Sequence, residues 1–79
     1  MVRAFIFVQT GAGESEELLR PIGEFEDVVE AHIVAGEWDV IAEVETDEVY
    51  EVMKASSSGV QALDGVTATH PSFLQERLK

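Results

Sequence analysis

Two apolar runs of similar length, Val28-Val29-Glu30-Ala31-His32-Ile33-Val34-Ala35 and Trp38-Asp39-Val40-Ile41-Ala42-Glu43-Val44, stand on either side of Gly36-Glu37. Two strand-like segments joined by so short a step predict a β-hairpin, and Gly36 suits the positive φ that such turns demand. Trp38-Asp39 then places a large aromatic beside a carboxylate where the second strand begins. Function is sought first at this corner.

The segments around the hairpin fix the element order. Val2 to Gln9 is apolar on both alternating faces, with Val2, Ala4, Ile6 and Val8 on one side and Phe5 and Phe7 on the other, as expected of a central strand. After the loop Thr10-Gly11-Ala12-Gly13, the carboxylates of Glu14, Glu16 and Glu17 suit the first turn of a helix, whose apolar face is Leu18, Leu19 and Ile22. Pro21 removes a helical hydrogen bond and crowds the carbonyl four residues back, so a kink or an early end is expected there.

Beyond the hairpin, Thr46 is expected to cap a second helix with Asp47 and Glu48 in its first turn and Val49, Val52, Met53, Val60 and Leu63 on its apolar face. Ser56-Ser57-Ser58-Gly59 is poor helical material, and the helix is expected to break or loosen there. Asp64-Gly65 reads as a turn and Val66 to His70 as a last strand that Pro71 ends or confines to a sheet edge. The tail from Ser72 to Lys79, with Phe73, Leu74 and Leu78, can add a short element against a neighbouring subunit.

The order β, α, β, β, α, β predicts an α+β fold of ferredoxin-like type, a four-stranded antiparallel sheet with both helices on one face. Residues 1–79 are read as one domain. With the first and third strands central, Phe5, Phe7 and Ile41 fall on the uncovered face, and exposed apolar faces of this kind imply a subunit interface. A domain this small buries only about 60% of the surface that its unfolded chain exposes. A homodimer stacking sheet on sheet, an α/β barrel-type association, is therefore expected.

Composition narrows the function classes. Sixteen acidic against five basic residues give a net charge of −11, a surface that repels phosphate backbones, so direct nucleic-acid binding is not expected. Such an excess is expected of an acidic, solvated surface in an organism with a salty cytoplasm, where cations screen the self-repulsion. There is no cysteine, which excludes disulfides and a zinc site of the usual thiolate type. No segment has the roughly 20 apolar residues of a membrane span, and Arg3 interrupts the only stretch resembling a leader. A cytoplasmic location is expected.

Catalytic signals are weak. Ser56, Ser57 and Ser58 have no base partner or strand-turn-helix elbow. Gly11-Ala12-Gly13 lacks the fuller glycine fingerprint of a phosphate loop, and Glu14 would repel phosphate. His32 and His70 are far apart in sequence without metal-site spacing, so no metal or cofactor is expected; a paired site arises only if their strands meet across a dimer. At the hairpin corner, by contrast, Gly36 permits close backbone approach, Asp39 can receive an ammonium group, and nearby backbone amides can receive a carboxylate. Thr67 and Thr69, on one side of the last strand, are expected to add two hydroxyls. An α-amino acid carries both of these charged ends.

These residues resemble a known pattern. Ala4-Phe5-Ile6-Phe7-Val8-Gln9-Thr10, Val28-Val29-Glu30-Ala31, Ala35-Gly36-Glu37-Trp38-Asp39-Val40-Ile41-Ala42 and Leu63-Asp64-Gly65-Val66-Thr67-Ala68-Thr69 are similar to the effector domain, or RAM domain, of the Lrp/AsnC (feast/famine) transcription regulators. The resemblance implies a ferredoxin-like fold, dimers that associate into tetramers or octamers, and amino-acid effectors bound between subunits. It carries Gly36, Trp38 and Asp39 into the effector site, with Thr67 and Thr69 contributing from the last strand. Full-length members add an N-terminal helix-turn-helix domain. A complete chain beginning at the first strand would resemble the stand-alone effector domains that co-assemble with full-length regulators; a fragment would have left its DNA-binding half behind.

The leading expectation is thus a non-enzymatic, amino-acid-sensing oligomerisation module acting on transcription through a partner regulator. Two alternatives stand beside it. One is a small dimeric ferredoxin-like barrel enzyme of monooxygenase type using His32 or His70, and the other is a structural assembly module without a ligand.

Overall fold

The computed structural model describes residues 1–75. Along the chain run β1 (Val2–Thr10), α1 (Ser15–Gly23), β2 (Val28–Ile33), β3 (Val40–Thr46), α2 (Val49–Lys54) and β4 (Val66–Phe73), with a π-helical turn over Ala55–Gly59 and a 3₁₀ turn over Val60–Ala62 continuing α2. The four strands form one sheet in the order β2-β3-β1-β4, antiparallel throughout. This is the expected ferredoxin-like α+β fold, with β1 and β3 in the centre.

Alternation along the central strands separates two faces. Ala4, Ile6 and Val8 of β1 and Val40, Ala42 and Val44 of β3 are buried together with Leu18 and Ile22 of α1, Val52 of α2 and Val60. Each fully buried valine or isoleucine stabilises the fold by about 1.5–3 kcal/mol, so this layer dominates its stability. The residues between them, Phe5, Phe7, Ile41 and Glu43, lie half-buried on the face that carries no helix.

Several local expectations are corrected. The hairpin connection is longer than Gly36-Glu37: β2 ends at Ile33 and β3 starts at Val40, and the last backbone bond runs from the Val34 N–H to the Asp39 carbonyl at 2.9 Å. Trp38 and Asp39 belong to this corner because the Asp39 N–H is taken by the Val8 carbonyl of β1 at 2.9 Å. Helix α1 runs through Pro21 to Gly23, where the N–H of Glu24 closes the end on the carbonyls of Arg20 and Pro21 and the N–H of Phe25 donates to the carbonyl of Ile22.

The second helix departs further. Thr46 does not cap it: its hydroxyl donates to the Glu48 carbonyl at 2.8 Å, and Glu48, in extended conformation, precedes the first helical residue without a side-chain cap bond. Nor do Val49 and Met53 face the core; they are 53% and 45% exposed, whereas Val52, Ser56 and Val60 are buried. In an α-helix eight residues sweep about 80° past two full turns, which would swing Val60 away from Val52. The π-helical turn absorbs one extra residue and brings Val52, Ser56 and Val60 back onto one line. The expected loosening at the serine run is this turn.

Strand β4 extends to Phe73, three residues beyond His70, and Pro71 is tolerated because β4 is an edge strand. Its start is set by Gly65, whose φ of +97° makes the turn after Asp64, and by the Gly11 N–H donating to the Gly65 carbonyl at 2.9 Å. Residues 76–79 of the expected tail element, Leu78 among them, lie outside the described residues.

Candidate functional site

The hairpin corner forms where the β2–β3 loop folds over the end of β1. Gly36 has a φ of +148°, outside the range that side-chain-bearing residues favour, and a Cβ there would meet nothing within 4 Å. The glycine therefore serves backbone conformation and leaves open space around the loop. Gln9 anchors the loop from β1, its side-chain amide donating to the Glu37 carbonyl at 3.2 Å.

Asp39 has a partner within the protomer. Its Oδ2 accepts the Thr10 N–H at 2.8 Å, tying the corner to the end of β1 where the register with β4 shifts. The carboxylate is thus held in place by the backbone of β1. One of its oxygens retains capacity for a further donor, because an ionised carboxylate accepts several hydrogen bonds.

Trp38 lies against the open face of the sheet. Its ring centroid is 5.9 Å from that of Phe7 and 6.1 Å from that of His70, the latter with the rings stacked at 26° to one another. Phe7 and His70 are direct register partners across β1 and β4, 6.4 Å apart. The three rings form a platform beside the loop. Alternation along the sequence puts Phe7 on this face, and the signal for His70 is its odd-numbered distance from Thr69 and Thr67, which places it on the opposite face of β4 from them.

The same alternation separates Thr69 from the corner. Thr69 pairs with the buried Val8, and its hydroxyl turns to the helix side, 3.0 Å from the Ser56 hydroxyl and 3.1 Å from the Gln61 side-chain oxygen. Thr67 is exposed near the start of β4. Within one protomer the structure brings together Gly36, Trp38 and Asp39, adds Phe7 and His70, and leaves the Thr69 hydroxyl on the other side of the sheet.

Beyond the apolar Phe5 and Ile41, the open face carries a charged group at the far end of β1 and β3. Arg3 bonds Glu45 through both Nε and Nη2 and lies 3.3 Å from Glu43. The hydrogen bond and negative charge of Glu45 raise the Arg3 guanidinium above its ordinary pKa, so it stays charged. A cleft of about 570 Å³ opens elsewhere, between Phe25, Asp27 and the outer side of α2 at Glu51 and Lys54, and contains none of the corner residues. Among the described residues no cluster of three or more His, Asp or Glu side chains within one protomer is arranged to hold a metal, and no helix is long and apolar enough to cross a membrane.

A βαββαβ order with both helices on one face of a four-stranded antiparallel sheet defines a ferredoxin-like α+β domain. The model of the Lrp/AsnC ligand binding domain matches residues 3–79, and the chain belongs to that family. It is 36% identical over 76 residues to the HTH-type transcriptional regulator LrpA1 of Halobacterium salinarum, covering 96% of this chain and 54% of that protein. The chain thus spans about half the length of the curated relative it matches.

Among solved structures, TTHA0845 from Thermus thermophilus superposes with a TM-score of 0.91 at 25% identity, covering 100% of this chain and 99% of that one. The complex of the transcriptional regulator NMB0573 with L-Met, from Neisseria meningitidis, shares the fold at a TM-score of 0.85 and 19% identity, covering 99% of this chain and 52% of that one. The family is one of regulator effector domains and not of enzymes, which sets aside the monooxygenase alternative.

Proposed function

We propose that residues 1–79 work as one unit that binds an amino acid at the hairpin corner, assembles with copies of itself through the open sheet face, and modulates transcription through a full-length Lrp/AsnC-type regulator in the cytoplasm. The observation that carries this reading is the corner itself. A carboxylate held by the Thr10 N–H, an open loop at Gly36 and a platform of Trp38, Phe7 and His70 stand together on the face without helices. Asp39 suits the ammonium end of an amino acid, loop amides suit its carboxylate, and the rings suit its side chain. The L-Met bound by NMB0573 supports the same ligand class on the same fold.

The half-buried apolar residues Phe5, Phe7 and Ile41 favour a second copy on the open face, as a homodimer that can grow into tetramers or octamers. Thr67 and Thr69 remain candidate contributors from the last strand only where ligand and subunit interface meet. The net charge of −11 favours action on DNA through a partner over direct contact.

Titration calorimetry with the twenty amino acids, on the native chain and on Asp39→Asn, tests the reading. Asparagine keeps an acceptor for the Thr10 N–H while removing the charge, so the variant folds but is expected to lose binding of the amino acid that the native chain selects. Equal affinity in the two proteins would remove Asp39 from the site. Silence of the native chain towards all twenty would favour the ligand-free assembly module.

A further inference from the structure

The two histidines of the chain occupy the two ends of one row across the open face. His32 of β2 pairs with Ile41 of β3, Ile41 with Phe7 of β1, and Phe7 with His70 of β4. Residues directly opposite in an antiparallel sheet share a face, so all four side chains stand on the side without helices. At the usual strand spacing the row spans about 14 Å. Its order, His-Ile-Phe-His, reads nearly the same from either end.

That symmetry bears on which partner covers the face. Turned over about a two-fold axis parallel to the strands, a second copy sets its Phe7 over Ile41 and its His70 over His32, apolar upon apolar and imidazole opposite imidazole. Facing sheets pack about 10 Å apart, a gap that two imidazoles reaching from opposite sides can span with one ion between them. The rotation of about 30° usual in aligned sheets displaces the row ends by about 4 Å, within the reach of these side chains.

Both imidazoles have nitrogens to offer. Neither makes a hydrogen bond within the protomer among the described residues, and the stack on Trp38 fixes the plane of the His70 ring without engaging its edge. His32 is 63% exposed and has a carboxylate on the same face, Glu30 Oε1, 3.9 Å from its Nε2. Imidazole and carboxylate together form a donor set for a borderline divalent cation, with water completing the coordination.

We propose that the open face binds Zn²⁺ between two copies of this chain, at two equivalent sites per dimer, each made of His32 and Glu30 from one copy and His70 from the other. This rests on the sheet-to-sheet dimer of the proposed function. Each site is incomplete in a single protomer, so the ion and the second copy bind cooperatively. A divalent cation between the copies also offsets the repulsion of two chains that each carry −11.

Sedimentation equilibrium of the tag-free protein in molar salt, with excess Mg²⁺ to occupy surface carboxylates and with or without Zn²⁺, tests the proposal. Zinc is expected to lower the dimer dissociation constant at least tenfold and to bind at two ions per dimer. His32→Gln and His70→Gln, both exposed positions, are each expected to lose both ions while retaining the circular dichroism of the native fold. An equimolar mixture of the two variants is expected to recover one ion per mixed dimer, because only there does an intact His32 meet an intact His70. A dimer indifferent to zinc, or zinc retained by either variant, would overturn this proposal and leave the dimer standing. A monomer under all conditions would overturn the dimer as well.

Discussion

Asp39 carries one hydrogen bond in the protomer and is proposed to carry a second to a ligand. Its bond to the Thr10 N–H holds the corner onto β1, and an ionised carboxylate retains capacity for a ligand's ammonium group. Asp39→Ala is therefore expected to cost stability as well as binding, by about 1–2 kcal/mol for a lost hydrogen bond to a charged acceptor. In a domain of this size, that lowers the thermal midpoint by several degrees, about 4–8 °C per kcal/mol, in a calorimetric scan. An unchanged midpoint would mean that the Thr10 bond contributes nothing. Gly65→Ala is expected to be worse than neutral too: its φ is +97°, and the new Cβ would stand 2.7 Å from Glu14 Oε2 and 3.1 Å from Leu18 Cδ1. A loss of about 1 kcal/mol or more in chemical denaturation is the expected result.

At the scale of elements, sequence periodicity revealed the strands and their order and misplaced the inner face of the second helix. Alternation in β1 and β3 is strict, and it located both the buried layer and the open aromatic face. The line Val52-Ser56-Val60 follows a spacing of four because of the π-helical turn, and a helical period of 3.6 applied across it points Val49 and Met53 inward instead. Ser56, a polar residue of the serine run, is only 3% exposed and its hydroxyl is bonded to Thr69. That bond reaches from the turn to β4, and no local pattern announces a contact between a helix and a strand. The same long-range pairing decides that Thr69 faces the helices while His70 joins Trp38.

The Ser56, Thr69 and Gln61 side chains form the polar lock between the π-helical turn and β4. Thr69→Val removes the central hydroxyl and leaves Ser56 buried without its partner. A loss of about 1–2 kcal/mol is expected in equilibrium unfolding, larger than for a surface substitution. No loss would show that Ser56 finds another acceptor and that the lock is incidental.

For the whole molecule, charge and size set the conditions of folding and assembly. A net charge of −11 on 79 residues raises self-repulsion in the compact state, and salt screens it over about 10 Å at 0.1 M and about 3 Å at 1 M. Circular dichroism from dilute buffer to molar salt is expected to show folded structure lost at the low end and restored at the high end; a flat response would mean that the core alone carries the fold.

On the proposed function, an amino acid at the Trp38-Asp39 corner alters how copies of this domain associate through the neighbouring sheet face. Sedimentation velocity at micromolar protein in molar salt, with and without a mixture of the twenty amino acids, tests it most directly. The expected result is a dimer or larger assembly whose size distribution shifts when the amino acids are added. A monomer throughout, or an assembly that no amino acid moves, would contradict it.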